Sequence, residues 1–195
     1  MKTNRALILS ATILLATGLA AAGCPKSWSE LTGKTADRAD PASAETPAPP
    51  QKYQDPDFGF GLDLPSDWEV ITREQNPVLF ARPQEAGPSG PMVNVVIENL
   101  NKRMAPYDYL KANLLTMQVS MPGLEVRNGG VEVHAGISMA WLQYAYPREG
   151  VMIEALSYCQ TKDFRAYVVT GLAPAREFKK LEPAFRMVGR SLRLN

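Results

Sequence analysis

Cys24, Cys159 and His134 are the only cysteines and the only histidine in 195 residues. A thiol within reach of an imidazole makes a nucleophile–base pair, the core of a cysteine-dependent hydrolase. Cys159 and His134 qualify by type, and each stands alone inside a strand-like pattern. Cysteine is among the most buried residue types, so an inert core thiol is the simpler reading of Cys159. Asp55 and Asp57 in "DPDFG" offer two carboxylates to a cation, although aspartates so placed commonly shape a turn. Gly59-x-Gly61 begins like a phosphate-cradling loop, but Leu64 stands where a third glycine is needed and the stretch alternates like a strand. No G-x-S-x-G and no paired histidines occur, and so few cysteines build neither a disulfide framework nor a zinc quartet. These residues commit the chain to no metal and no cofactor.

Cys24 is different, because of what precedes it. Lys2 and Arg5 form a short positive region, Ala6 to Leu15 is apolar, and Ala16 to Gly23 is mostly small. A spanning helix needs about 20 strongly apolar residues, and this segment loses its hydrophobicity in its last third. A short apolar core followed by small residues marks a peptidase cleavage site, which makes residues 1–23 a signal peptide. Cys24 directly after Ala21-Ala22-Gly23 resembles the bacterial lipobox, with Ala21 where leucine is usual. That resemblance implies a diacylglyceryl group on the Cys24 thiol, cleavage just before it, and a membrane partner held through lipid. Several acyl chains, at about 0.8 kcal/mol per buried methylene, make release negligible. Pro25 and Lys26 lack the aspartate that resembles an inner-membrane retention signal. The expected location is therefore the outer membrane of a bacterial envelope, facing the periplasm.

Residues 24–52 read as a linker. Between Pro25 and Gln51 lie five prolines and only Trp28 and Leu31 as large apolar residues. Such a stretch buries too little to offset its ordering entropy, and in the coil regime it spans roughly 30 Å. The whole chain holds 21 basic and 20 acidic residues; losing residues 1–23 leaves 19 against 20. That neutrality argues against nucleic acid, which requires a net basic face.

From residue 53 to 195 the pattern is that of one globular domain. "FGFGLDLP" (58–65) alternates as a half-buried strand, Pro65-Ser66-Asp67 turns the chain, and Trp68 opens the next strand. "VLFARP" (78–83) and "MVNVVIENL" (92–100) are further strands around a Pro/Gly-rich loop. Tyr107, Leu110, Leu114, Met117 and Met121 share one helical face, begun at Pro106 and ended by Pro122-Gly123. Asn128-Gly129 supplies the positive φ angles of a tight hairpin. "GISMAWLQYAY" (136–146), "VMIEALSYCQ" (151–160) and "FRAYVVTGL" (164–172) continue the sheet. A last helix carries Phe178, Leu181, Phe185 and Val188, kinked or restarted at Pro183, and "SLRL" closes as a strand. The sum is an α+β domain, a largely antiparallel sheet flanked by helices.

The opening "YQDPDFGFGLDLPSDWEV", the mid-chain helix, the long meander and the final helix running into "VGRSLRL" are similar to the PsbP-like fold. Its superfamily takes in thylakoid-lumen photosystem proteins, bacterial DcrB-type lipoproteins and a eukaryotic Ran-binding factor. Phe58-Gly59-Phe60, Pro65, Trp68 and Ser191 carry the likeness most specifically. They are fold residues, so no functional residue carries over. The resemblance implies an α/β/α sandwich and a non-catalytic accessory protein.

Recognition chemistry then points to "WLQYAYPREGVMIEALSY". Tyrosine and tryptophan join large apolar area to a polar tip. Tyr144 and Tyr146 share one face of their strand and Trp141 takes the other. Which face Met152 and Tyr158 join depends on the turn length. Two readings stand: helices cover both faces and all five residues are packing, or the turn end is uncovered and Tyr144, Tyr146, Arg148 and Glu149 form a partner surface that meets an envelope protein. A small-ligand-binding lipoprotein with a pocket between sheet and helix, and the cysteine hydrolase, are the rival readings. The cationic run Arg176, Lys179, Lys180, Arg186, Arg190 and Arg193 is broken by Glu177 and Glu182, which suits a solvated helix face rather than an anionic-lipid site.

Overall fold

The structure, a computed structural model, describes residues 48–87 and 90–195. The expected signal peptide, the lipid site at Cys24 and most of the linker lie outside them. The compact unit runs from Ala48 to Asn195.

Ten strands and two helices follow in order: β1 (Gln51–Asp55), β2 (Phe60–Leu64), β3 (Trp68–Thr72), β4 (Leu79–Pro83), β5 (Met92–Asn99), α1 (Pro106–Ser120), β6 (Glu125–His134), β7 (Ile137–Arg148), β8 (Val151–Lys162), β9 (Arg165–Pro174), α2 (Ala175–Arg190) and β10 (Arg193–Leu194). β1 takes in Gln51 and Lys52 from the stretch read as linker. Seven strands form one antiparallel sheet in the order β3-β4-β5-β9-β8-β7-β6, and β1-β2-β10 form a small second sheet.

Period-two alternation sends the side chains of the large sheet to two cores. On one face Val93, Val95, Met139, Leu156, Tyr158 and Val169 meet Phe178, Phe185 and Val188 of α2, together with Phe60, Leu62 and Leu64 of the small sheet. On the other, Ala140, Leu142, Tyr144, Ala155, Cys159 and Val168 meet Tyr109, Leu110, Leu114 and Met117 of α1. This is the expected α/β/α sandwich, with the small sheet sharing the α2 layer. Ser191 ties the end of α2 to β2: its hydroxyl accepts from the Asp63 N–H at 2.8 Å and donates to the Val188 carbonyl at 2.7 Å.

Two local readings change, and one left open is decided. The Asn128-Gly129 pair does not turn the chain; β6 runs straight through it and turns at Ala135-Gly136, both with positive φ. A β7 of twelve residues pairs along nearly its whole length, and that ladder outweighs a local turn preference. The extra residue is absorbed as a bulge at Arg127, between the Val126–Tyr144 and Asn128–Gln143 pairs. Of the two readings at Pro183 the restart drops out, since α2 is one helix with the proline inside it. On α1 the buried stripe uses Tyr109 in place of Tyr107, which is exposed.

Candidate functional site

The β7–β8 hairpin ends in a two-residue turn, since Arg148 pairs with Val151 across Glu149-Gly150. Both turn residues have positive φ, 51° and 80°, the mirror-image turn whose twist matches that of the strands. Glycine supplies that conformation freely, whereas Glu149 holds it against its own Cβ. The turn length settles the faces. Tyr158 pairs with Trp141 and Met152 with Pro147, so both lie on the Trp141 side, towards α2. Gly123, with φ 81°, lets the α1–β6 connection close against Pro147, where a Cβ would come within 3.2 Å of the proline ring.

The expected surface residues divide. Tyr144 is 6% exposed, lies under α1 and packs its ring on Tyr146, with centroids 6.1 Å apart. Its hydroxyl stands 3.5 Å from that of Ser157, and burial pushes the phenol up to about 12. Tyr144 is therefore a core residue, which corrects its place in the expected surface: alternation gave its face, and the covering helix removed it from solvent. Tyr146 is half-buried, and Arg148 and Glu149 are exposed. Burial raises the Tyr146 phenol while the nearby Arg148 guanidinium opposes the rise. Val151 and Met152, 47% and 42% exposed, extend the tip. The Glu-Gly turn was the signal for their exposure, because a two-residue turn leaves its flanking residues outside the layers.

Cys159 and His134 do not meet. Cys159 belongs to the α1 core and is fully buried. His134 ends β6 opposite Ile137, on the α2 side of the sheet, and is exposed. Burial, then the charge of Glu98, pushes the Cys159 thiol far up, away from the thiolate a nucleophile needs. Asp55 is buried and committed to the β1–β2 turn. One oxygen accepts from the N–H groups of Asp57 and Phe58 at 3.1 and 2.9 Å, the other from the Tyr53 hydroxyl at 2.8 Å. Gly61 of the glycine pair stands in β2, where a Cβ would come within 2.6 Å of the Gln54 side chain.

The cationic run is woven into carboxylates. Arg190 pairs with Glu132 through two bonds of 2.7 and 2.9 Å, Arg186 with Glu182 at 2.6 Å, and Arg193 with Asp63 at 3.0 Å. Arg186 also donates to the Tyr158 hydroxyl at 3.3 Å and lies over the Trp141 ring. The Glu182–Arg186 pair is legible as an i, i+4 spacing. Glu132 and Arg190, 58 residues apart, give no such signal.

Apolar grooves also mark the surface. One of about 230 Å³ runs between α1 and the β6–β7 edge, lined by Tyr107, Leu110, Leu114, Val126, Trp141 and Leu142. Among the described residues no helix is long and apolar enough to cross a membrane.

No protein-family model matches the chain, and no curated protein matches it in sequence. Solved structures do. The cyanobacterial PsbP (CyanoP) of Synechocystis sp. PCC 6803 superposes with a TM-score of 0.59 at 14% identity, over 80% of this chain and 98% of that one. LpqN of Mycobacterium tuberculosis, described as involved in cell envelope biogenesis, gives 0.55 at 17% identity over 74% and 91%. Two opposed helices, a seven-stranded antiparallel sheet and a small three-stranded sheet thus give this chain a PsbP-like fold.

Proposed function

We propose that the protein is a non-catalytic accessory protein of a bacterial cell envelope, anchored by lipid on Cys24 and docking a partner protein through the β7–β8 tip. The observation that carries the reading is the tip itself. Arg148, Glu149, Val151 and Met152 stand exposed on a rigid two-residue turn beside the half-buried ring of Tyr146. Aromatic anchors within a charged rim are what protein recognition surfaces use. β1 begins at the same end of the domain, where the Gln51 amide donates to the Pro65 and Trp68 carbonyls at 3.0 and 2.7 Å. The description of LpqN as an envelope-biogenesis protein supports the same setting. The α1 groove, at about 230 Å³, is smaller than the roughly 300–1,000 Å³ of typical ligand sites, and a larger one of about 450 Å³ beside α1 is lined mostly by polar residues, among them Glu98, Asn101, Lys102 and Asn113, where such sites are mostly apolar. Partner docking therefore ranks ahead of small-ligand binding, and the opposed faces of Cys159 and His134 weigh against the hydrolase.

A photo-crosslinking residue at position 151 in living cells tests the proposal. The expected result is one discrete cross-linked protein, lost when Arg148→Glu is added and not formed from position 180 on α2. Cross-linking that ignores Arg148→Glu, or none from position 151, would overturn it.

A further inference from the structure

β6 is the last strand of the large sheet, and among the described residues its outer edge has no neighbour. Eight of its ten residues are exposed, so a row of backbone donors and acceptors faces outward. Such an edge is a template for another strand unless it is blunted, commonly by lysine, proline or a covering element. β6, "EVRNGGVEVH", contains neither lysine nor proline, and its one bulge, at Arg127, lies near its start and leaves Asn128 to His134 regular.

Its side chains complement a second β6. With the bulged Arg127 and Asn128 counted as one step, Val126, Gly129, Val131 and Val133 lie on the α1 face. Glu125, Gly130, Glu132 and His134 lie on the α2 face. Arg127 is drawn to that second face by its 2.9 Å ion pair with Glu125. A two-fold axis through Gly130, normal to the sheet, places every residue opposite one of the same face. Val126 meets Val133, Arg127 with Asn128 meets Glu132, Glu125 meets His134 and Gly129 meets Val131, each pair occurring twice. The neighbouring registers fail on charge. Centring on Gly129 sets Glu125 against Glu132, and centring on Val131 moves Arg127 away from Glu132. Like charges directly opposed are destabilising and opposite ones favourable.

We propose that β6 pairs antiparallel with β6 of a second copy of this chain, about a two-fold axis at Gly130. The dimer joins two seven-stranded sheets edge to edge, with both α1 helices on one side. Val131 and Val133, 55% and 70% exposed in one copy, then cover the groove between Tyr107, Leu114 and Val126 of the other. The interface is isologous, as a closed dimer requires.

Gly130→Cys in the full chain tests the register. A Cβ at Gly130 meets nothing closer than the Trp141 ring nitrogen at 3.6 Å, so cysteine fits. Directly opposed residues of an antiparallel pair have Cα atoms about 4.5–5.5 Å apart, within disulfide reach. Under mild oxidation the expected product is a cross-linked dimer on a non-reducing gel, at twice the mass of the reduced chain. The wild-type chain, carrying Cys24 and the buried Cys159, gives the background. Val131→Cys, whose own copy is offset along the strand, should cross-link at least about tenfold less. Adding Arg127→Glu to Gly130→Cys should cost about tenfold or more in yield with the melting temperature nearly unchanged. Should Gly130→Cys fail to fold, sedimentation of the wild-type chain against Val133→Glu decides: a dimer that Val133→Glu makes monomeric supports the pairing. Equal cross-linking at both cysteines, cross-linking to a different protein instead, or a monomeric wild-type chain at tens of micromolar would overturn it.

Discussion

Replacing Gly171 by alanine should destabilise this domain strongly, although glycine-to-alanine changes inside strands ordinarily help. Gly171 lies in β9 between Val93 and Leu156, on the face that meets α2. A Cβ there would stand 2.3 and 2.4 Å from two ring carbons of Phe185 and 2.7 Å from its Cβ. Carbon atoms pack best at about 3.5–4.0 Å, so the ring must retreat by more than about 1 Å. It has nowhere to go. Phe185 is 1% exposed and wedged against Trp68 and Phe178, with centroids 6.2 and 5.7 Å away, so α2 itself has to lift. Overpacking that moves backbone costs about 1–3 kcal/mol, and this case belongs near 3. At about 2–4 °C per kcal/mol for a domain of this size, the melting temperature should fall by roughly 6–12 °C. A strand site with room would instead gain about 0.4–1 kcal/mol from the stiffer unfolded chain, so the sign alone is diagnostic. The assay is thermal and urea unfolding of Gly171→Ala, Phe185→Ala and the double variant. Phe185→Ala should cost about 3–5 kcal/mol alone and should relieve most of the alanine penalty, a coupling of about 2 kcal/mol. An unchanged or raised melting temperature for Gly171→Ala, or costs that simply add, would refute the reasoning.

Three further outcomes are expected. Trp68→Ala, which removes a 5% exposed ring packed edge-on against Phe185, should cost about 3–5 kcal/mol by calorimetry; a shift under about 3 °C would take Trp68 out of the core. The hydrogen bonds from Arg190 hold the Glu132 carboxyl below its ordinary value of 4.5, against partial desolvation. Because the folded value is the lower one, the stabilisation is present above that ordinary value and lost as pH falls through the folded one. The melting-temperature gap between wild type and Glu132→Gln should therefore close on acidification, and a gap constant from about pH 7 to pH 3 counts against the pair. Mass spectrometry of membrane-extracted protein should find an amino terminus at Cys24 carrying diacylglycerol, and Cys24→Ser should leave the chain uncleaved or released; mature protein starting at Met1 ends the anchoring proposal.

The sequence by itself determined whatever acts over a few residues. Alternation in "FGFGLDL" and "VLFARP" marked the strands, and helical spacing marked Leu110, Leu114 and Met117 as buried. Period two alone separated Trp141 from Tyr144 and Tyr146, and the two cores keep that division. It also placed Arg148 and Glu149 at a turn, which the structure leaves exposed. Tertiary structure decided what depends on partners far along the chain. Asn128-Gly129 carries a strong local turn signal, yet β7 lies alongside and the longer ladder keeps it extended. Burial of Tyr144 required α1, whose packing position no residue near Tyr144 encodes. Cys159 and His134 are both strand residues, and only the register of β6, β7 and β8 puts them on opposite faces. Glu132 with Arg190, and Asp63 with Ser191 at a separation of 128 residues, meet because the sheet and α2 close long loops. Gly171 reads as an ordinary strand glycine until the Phe185 ring is set against it. Local rules record backbone preference and the face a side chain takes. Which surface presses on that face is set by the summed burial of the whole domain, and no short window of sequence contains that sum.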